Sequence, residues 1–211
     1  MTRIYLLLIF ILTFTGVSAQ RLETDIFGNL AYSSPDRDYK ALLAKNIFDD
    51  LVFTDNRDNK ISYKKKYLDK MFPGIRGSKA QQTELMWSLL RENAHNSKYV
   101  ANYKIDIFDK VIIEDNRGYK LVQGVDIFGH QNIEEQFDGI KTSIKRNLQG
   151  YLEASVDQEK ASLKKDVFDK WGYEDSLGNR FQFGAQTWKQ LMHRFGSDDR
   201  VFQFLLENYF Y

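Results

Sequence analysis

A three-residue phrase returns along this chain at fixed spacing. It appears as Asp25-Ile26-Phe27, Asn46-Ile47-Phe48, Asp106-Ile107-Phe108, Asp126-Ile127-Phe128 and Asp166-Val167-Phe168, at intervals of 21, 60, 20 and 40 residues. One unit of about 20 residues is therefore reused, and such a period implies a stack of supersecondary units that bury their apolar surface against one another. This constrains architecture strongly and chemistry weakly, because most residues of a repeating unit are committed to packing.

Two units align without a gap, Asn46 to Ile61 and Asp106 to Leu121, and a third from Asp166 places Trp171, Tyr173, Asp175, Gly178, Arg180 and Phe181 in the same columns. Each reads as a β-hairpin. Leu51-Val52-Phe53-Thr54 and Lys60-Ile61-Ser62-Tyr63 are short β-prone runs separated by Asp55-Asn56-Arg57-Asp58-Asn59, whose Asx side chains favour tight local bonding. Leu30 and Tyr32, Leu51 and Phe53, Val111 and Ile113, and Trp171 and Tyr173 recur at period two, as one buried face of a strand does. The Ile-Phe pairs are expected to close each hairpin onto the next, which makes rings such as Phe108 buried determinants of stability. Lys60-Ile61-Ser62-Tyr63-Lys64-Lys65 returns as Lys160-Ala161-Ser162-Leu163-Lys164-Lys165, so Leu148 is a worn counterpart of the phrase, and strands are expected across residues 133–148.

Helices interrupt the pattern twice. Met86, Leu89 and Leu90 share one stripe of an amphipathic segment, predicting an inserted helix near 79–95. Trp188, Leu191, Met192 and Phe195 follow helical spacing, Gly196 suits a C-cap, and Ser197 suits the N-cap of a last helix carrying Val201, Phe202, Leu205, Leu206 and Tyr209. The expected fold is mainly β with helices (α+β): an array of ~20-residue β-hairpin repeats over residues 20–184 with one inserted helix, closed by a helical C-terminal cap at 185–211.

Residues 1–19 read as a signal peptide, with Arg3, the apolar run Ile4 to Phe14 and the small-residue site Val17-Ser18-Ala19 in the required order. An exported protein, periplasmic or extracellular and not membrane-spanning after signal removal, is the expectation. The remaining 29 basic and 29 acidic residues balance, which offers nucleic acid no electrostatic footprint. Cysteine is absent, excluding disulfides, cysteine-ligated metal and thiol catalysis.

Catalytic constellations are scarce. His95, His130 and His193 stand apart without zinc-binding spacing, and no Gly-x-Ser-x-Gly elbow or phosphate loop occurs. The acidic turns at Asp55, Asp115 and Asp175 lack the alternation and downstream glutamate of a calcium loop and read as hairpin turns. No catalytic residue, metal site or cofactor is assigned. Among 16 phenylalanines, 12 tyrosines and 3 tryptophans, Trp171 and Tyr173 enlarge columns held elsewhere by smaller side chains, and they are the expected binding residues.

The run from Trp171 to Phe181 resembles the aromatic strand, Asx-Gly turn and return strand of the hairpin repeats in choline-binding modules and, more loosely, in tyrosine-aspartate repeats of bacterial surfaces. That resemblance implies an elongated binding or shell-forming array. Choline modules bind through tryptophans recurring in successive repeats, and only Trp171 occupies a repeat column here, so their ligand is not carried over. The expected function is an exported, non-catalytic interaction protein with a protein partner in the envelope, as in toxin neutralisation or envelope assembly. The alternatives are a cell-wall or carbohydrate-binding module and a hydrolase.

Overall fold

The computed structural model describes residues 21–34, 38–126 and 128–211, so the expected signal peptide at 1–19 lies outside the described residues. The protein is mostly β, with fourteen strands and four helices among the described residues, and within each unit neighbouring strands follow chain order. The chain divides into two compact units, residues 1–101 and 102–211.

The first unit is an antiparallel meander of β1 (Arg21–Thr24), β2 (Leu30–Ser34), β3 (Tyr39–Lys45), β4 (Leu51–Asp55) and β5 (Lys60–Tyr63), followed by α1 (Lys65–Met71) and α2 (Lys79–Asn93). Registry aligns Leu30, Leu43, Phe53 and Ile61 in one buried row, and α2 lays Met86, Leu89 and Leu90 into the same core. The Trp87 ring meets Tyr32 edge-on at 5.8 Å. Two turn residues hold the helices. Asp50 is buried; burial alone would raise its carboxyl pKa, but bonds from Lys64 Nζ, the Lys65 N–H and the Asn46 side chain bring it below the ordinary range. Its Oδ1 accepts the Lys65 N–H at 2.9 Å and so caps the start of α1, which has no side-chain cap of its own. Asn59 donates to Asn93 O and Asn96 O at the end of α2 and accepts the Tyr99 N–H, returning the chain beside the start of β5. Helix α1 was not legible in the sequence, because seven residues carry too little periodicity.

Strand β6 (Val100–Ile105) begins where the first unit ends. The second unit continues as β7 (Val111–Asp115), β8 (Lys120–Val125), β9 (Gln131–Phe137), β10 (Ile140–Arg146), β11 (Leu152–Val156), β12 (Glu159–Lys165), β13 (Trp171–Asp175) and β14 (Arg180–Phe183), each antiparallel to the next from β7 onward. Then come α3 (Ala185–Phe195) and α4 (Asp198–Tyr209). Residues 131–137 and 140–146 are strands rather than helix, as expected for this stretch, while Asn147 and Leu148 belong to a turn. Gly196 takes a left-handed φ of 82° and Ser197 accepts the Arg200 N–H, so the expected caps form. Helix α4 sets Val201, Phe202, Leu205 and Leu206 against Leu152, Leu163 and Tyr173. Arg146 grips both Asp198 carboxylate oxygens at 3.0 Å, tying β10 to the start of α4.

The strand connections share one chemistry. In nine five-residue turns the first residue is Asp or Asn (Asp25, Asn46, Asp55, Asp106, Asp115, Asp126, Asn147, Asp166, Asp175), and its carboxyl or amide oxygen accepts the N–H of the third and fifth residues. The fourth residue is always Gly or Asp at positive φ, from 62° at Asp169 to 97° at Gly178, the types that tolerate this region. A tight turn followed by a left-handed residue matches the twist of the strands it joins.

This geometry overturns the expectation that the Ile-Phe pairs are core. They occupy the second and third turn positions, whose backbone the Asx side chain folds into the apex of the loop. Their side chains therefore project past the end of the sheet: Ile47 is 92% and Phe108 71% exposed. The period-two columns, Leu51 with Phe53 and Leu152 with Ala154, supply the core instead.

The shared oxygen acceptor makes a testable order. Asp126→Asn keeps an Oδ1 acceptor, as Asn46 and Asn147 already do, whereas Asp126→Ala removes it, so the alanine variant should melt at lower temperature at pH 7. Bonds from the His130 backbone, chiefly, hold Asp126 below the ordinary carboxylate range, and those from Asn29 do the same for Asp25. A carboxyl lowered in the folded state contributes stability above its unfolded pKa of about 3.9, and that contribution is lost as pH falls through the folded value. Unfolding free energy measured by denaturant should therefore decline below about pH 4, and a flat profile down to about pH 2.5 would refute the assignment.

Candidate interaction surface

The expected binding residues Trp171 and Tyr173 lie on the face of β13 that α3 and α4 cover. Tyr173 is buried, its ring stacked 5.7 Å from Phe181 and tilted 6.3 Å from Phe202. Its hydroxyl donates to Asp175 Oδ2 at 2.8 Å; burial, then that bond, pushes the phenol pKa far above its ordinary value. Trp171 is half-buried and stacks on Trp188 at 4.3 Å with 13° between the rings. The two columns are enlarged because a helical pair has to be met there, and the ring faces are occupied by the protein itself.

Most of the large apolar groups that are 60% or more exposed stand at turn tips, with Phe137 and Tyr211 the others among the described residues. In the first unit the tips carry Ile26-Phe27 and Ile47-Phe48. In the second unit Ile107 is 89%, Phe108 71%, Phe128 60%, Leu148 84%, Val167 92% and Phe168 79% exposed. These four turns join β6 to β7, β8 to β9, β10 to β11 and β12 to β13, alternate connections of a meander and hence one end of it. Strands spaced about 4.8 Å apart put successive tips roughly 9.6 Å apart. The sequence carried the signal for this in the Asx at the first and the Gly or Asp at the fourth turn position, which together mark the intervening pair as a loop apex.

Two further surfaces of the second unit are open. Strands β7 to β10 contain no buried residue, so the sheet there is a single layer with both faces reaching solvent. Next to it, a polar cleft of about 790 Å³ lies on β10 to β14. Ser143 and Ser155 share a hydrogen bond of 2.9 Å at one side of it, and Lys145 faces Glu153 at 3.9 Å. Glu174 sits between Lys164 and Arg180, and the Lys164 bond, foremost, keeps its pKa low. Its charges are matched across neighbouring strands rather than aimed at one point, which suits a solvated face.

The acid-rich turns direct their carboxylates inward. Asp55 Oδ1 accepts the N–H of Arg57 and Asn59, and its Oδ2 accepts Asn59 Nδ2 at 2.7 Å, leaving little for a cation to ligate. Among the described residues no group of three His, Cys, Asp or Glu side chains is close enough to hold a metal ion. His95 and His193 are exposed, and His130 Nδ1 lies 3.3 Å from the Asp126 carboxylate of its own turn. No described helix is long and apolar enough to cross a membrane. Comparison with protein-family models, with curated proteins and with solved structures finds no match to this chain.

Proposed function

We propose that the chain is an exported, non-catalytic interaction protein of the periplasm or cell envelope, an array of ~20-residue hairpin repeats that displays its apolar turn tips to a protein partner. One observation carries the reading: the turn tips present Ile, Phe, Val or Leu side chains exposed to 60% or more, at positions where turn geometry asks for nothing apolar. Exposed apolar clusters of this kind are costly in water unless something covers them, and aromatic anchors with few rotors make efficient contact points. The Asx bonding explains how a loop tip stays rigid enough to present them. Toxin neutralisation and envelope assembly both fit a scaffold of this kind. The runner-up, a cell-wall glycan, rests on the polar cleft, whose serines, lysines and glutamates offer hydrogen bonds.

Photo-crosslinking from position 108 in envelope extract, with the adducts identified by mass spectrometry, tests it. One dominant protein adduct, lost when Phe168 and Val167 are replaced by serine, is the expected result. Saturable binding of peptidoglycan fragments with no protein adduct would shift the assignment to the glycan.

A further inference from the structure

The second unit is not held together evenly. Its buried core is one block made by β11, β12, β13 and α4, in which Leu152, Leu163, Tyr173, Val201, Phe202 and Leu206 are each 1% exposed or less. Strands β7, β8 and β9 contribute no buried residue to it. We infer that β7 to β9 form a segment that opens by itself: it leaves the sheet as one cooperative piece while β11 to β13 and α4 stay folded.

Three observations carry the inference. First, the segment lacks cover. Ile113, Leu121 and Ile133 share one face of it, yet each stays partly in water, so the apolar gain that fixes the α4 block is largely missing here. What remains is a ladder of backbone hydrogen bonds reached by water from both faces, and such bonds add little net stability because water replaces them. Second, the closed segment carries costs of its own. Asn132 Oδ1 in β9 is shut away from water with no hydrogen-bond donor on it, a deficit that opening relieves. Its partner across the ladder is Gly124, which has no side chain to pack in the middle of β8, and the stem of Lys110 fills the space where a Cβ would stand. Third, the flanks are anchored. On one side Ile144 of β10 packs against the α4 block and Arg146 is paired with Asp198 and Asp199. On the other, Ala101 and Ile105 of β6 are buried. Opening therefore stops where burial resumes, and its limits fall at the two turns that bound β7 and β9.

Elements that move on contact are drawn from the weakly held end of a structure, and this segment gives the chain such an element between anchored ends. The inference is independent of what the turn tips touch. Native-state hydrogen exchange of the full chain tests it, read by mass spectrometry at several urea concentrations below the melting transition. After correction for intrinsic rates, amides of β7 to β9 should exchange at least ~100-fold faster than those of β11 to β13, and with a weaker urea dependence, because a partial opening exposes less surface than global unfolding. Ile113→Ala trims a half-buried side chain in β7 and should speed exchange about tenfold in β9 as well as in β7, with β11 to β13 unchanged. Protection in β7 to β9 equal to that in β11 to β13 would overturn the inference, and that result needs no variant. An Ile113→Ala effect confined to β7 would overturn it as well, by showing strands that open singly. So would an effect spread equally over β11 to β13, by showing that the unit opens only as a whole.

Discussion

Phe53→Ala should lower the unfolding free energy by about 3–5 kcal/mol, the range for emptying a buried aromatic site. Phe53 is fully buried and lies between Leu43 and Ile61 in the row that crosses the first unit, on the sheet face where α2 packs against β2 and β3. Nothing nearby can collapse into the space easily, because the row is fixed by backbone registry on both sides. Phe108→Ala, by contrast, removes a ring that is 71% in water and should change stability by about 0.5 kcal/mol or less. Urea melts of the two variants measure the difference directly. Comparable losses would mean that the turn tips are packed in solution and that the placement of the phenylalanines is wrong.

Tyr173→Ala should be comparably damaging in the second unit, at about 3–5 kcal/mol, because its ring fills the joint between β13, Phe181 and Phe202. Tyr173→Phe isolates the hydroxyl. Asp175 keeps the Asn179 side chain and backbone donors but loses the 2.8 Å bond, which should cost about 1.5–3 kcal/mol, the range for a hydrogen bond to a charged group. The adjacent stack gives an independent optical readout. Trp171 and Trp188 lie close enough at 4.3 Å for exciton coupling in far-ultraviolet circular dichroism, and Trp188→Phe should abolish that couplet. If Tyr173→Ala instead melts like the wild type while partner capture is lost, the aromatic pair is a binding surface after all.

Much of the architecture could be read from short-range pattern. Leu51 with Phe53 and Leu152 with Ala154 alternate as one face of a strand must, and Asp or Asn at the first turn position with Gly or Asp at the fourth carries its own bonding chemistry. Gly196 and Ser197 announced the break between α3 and α4 for the same reason, since caps are local. Burial was misjudged in both directions. Phe108 looked like core because large apolar residues usually are, and Tyr173 looked like a surface anchor because it outsized its column.

What the sequence by itself determined, then, is everything that depends on neighbours within a few residues: strands at period two, turns closed by their own Asx oxygen, and helices with their caps. What only the tertiary structure decided is which apolar side chains meet other protein. Tyr173 is buried because α4 folds back across one face of its strand, and Phe53 lies on the sheet face that carries α2, whereas Ile107 and Phe108 stay in water because they stand at a loop apex past the ends of the strands. Hydrophobicity states that a side chain gains by leaving water, but the three-dimensional path of the chain determines whether its own fold or a partner provides the cover.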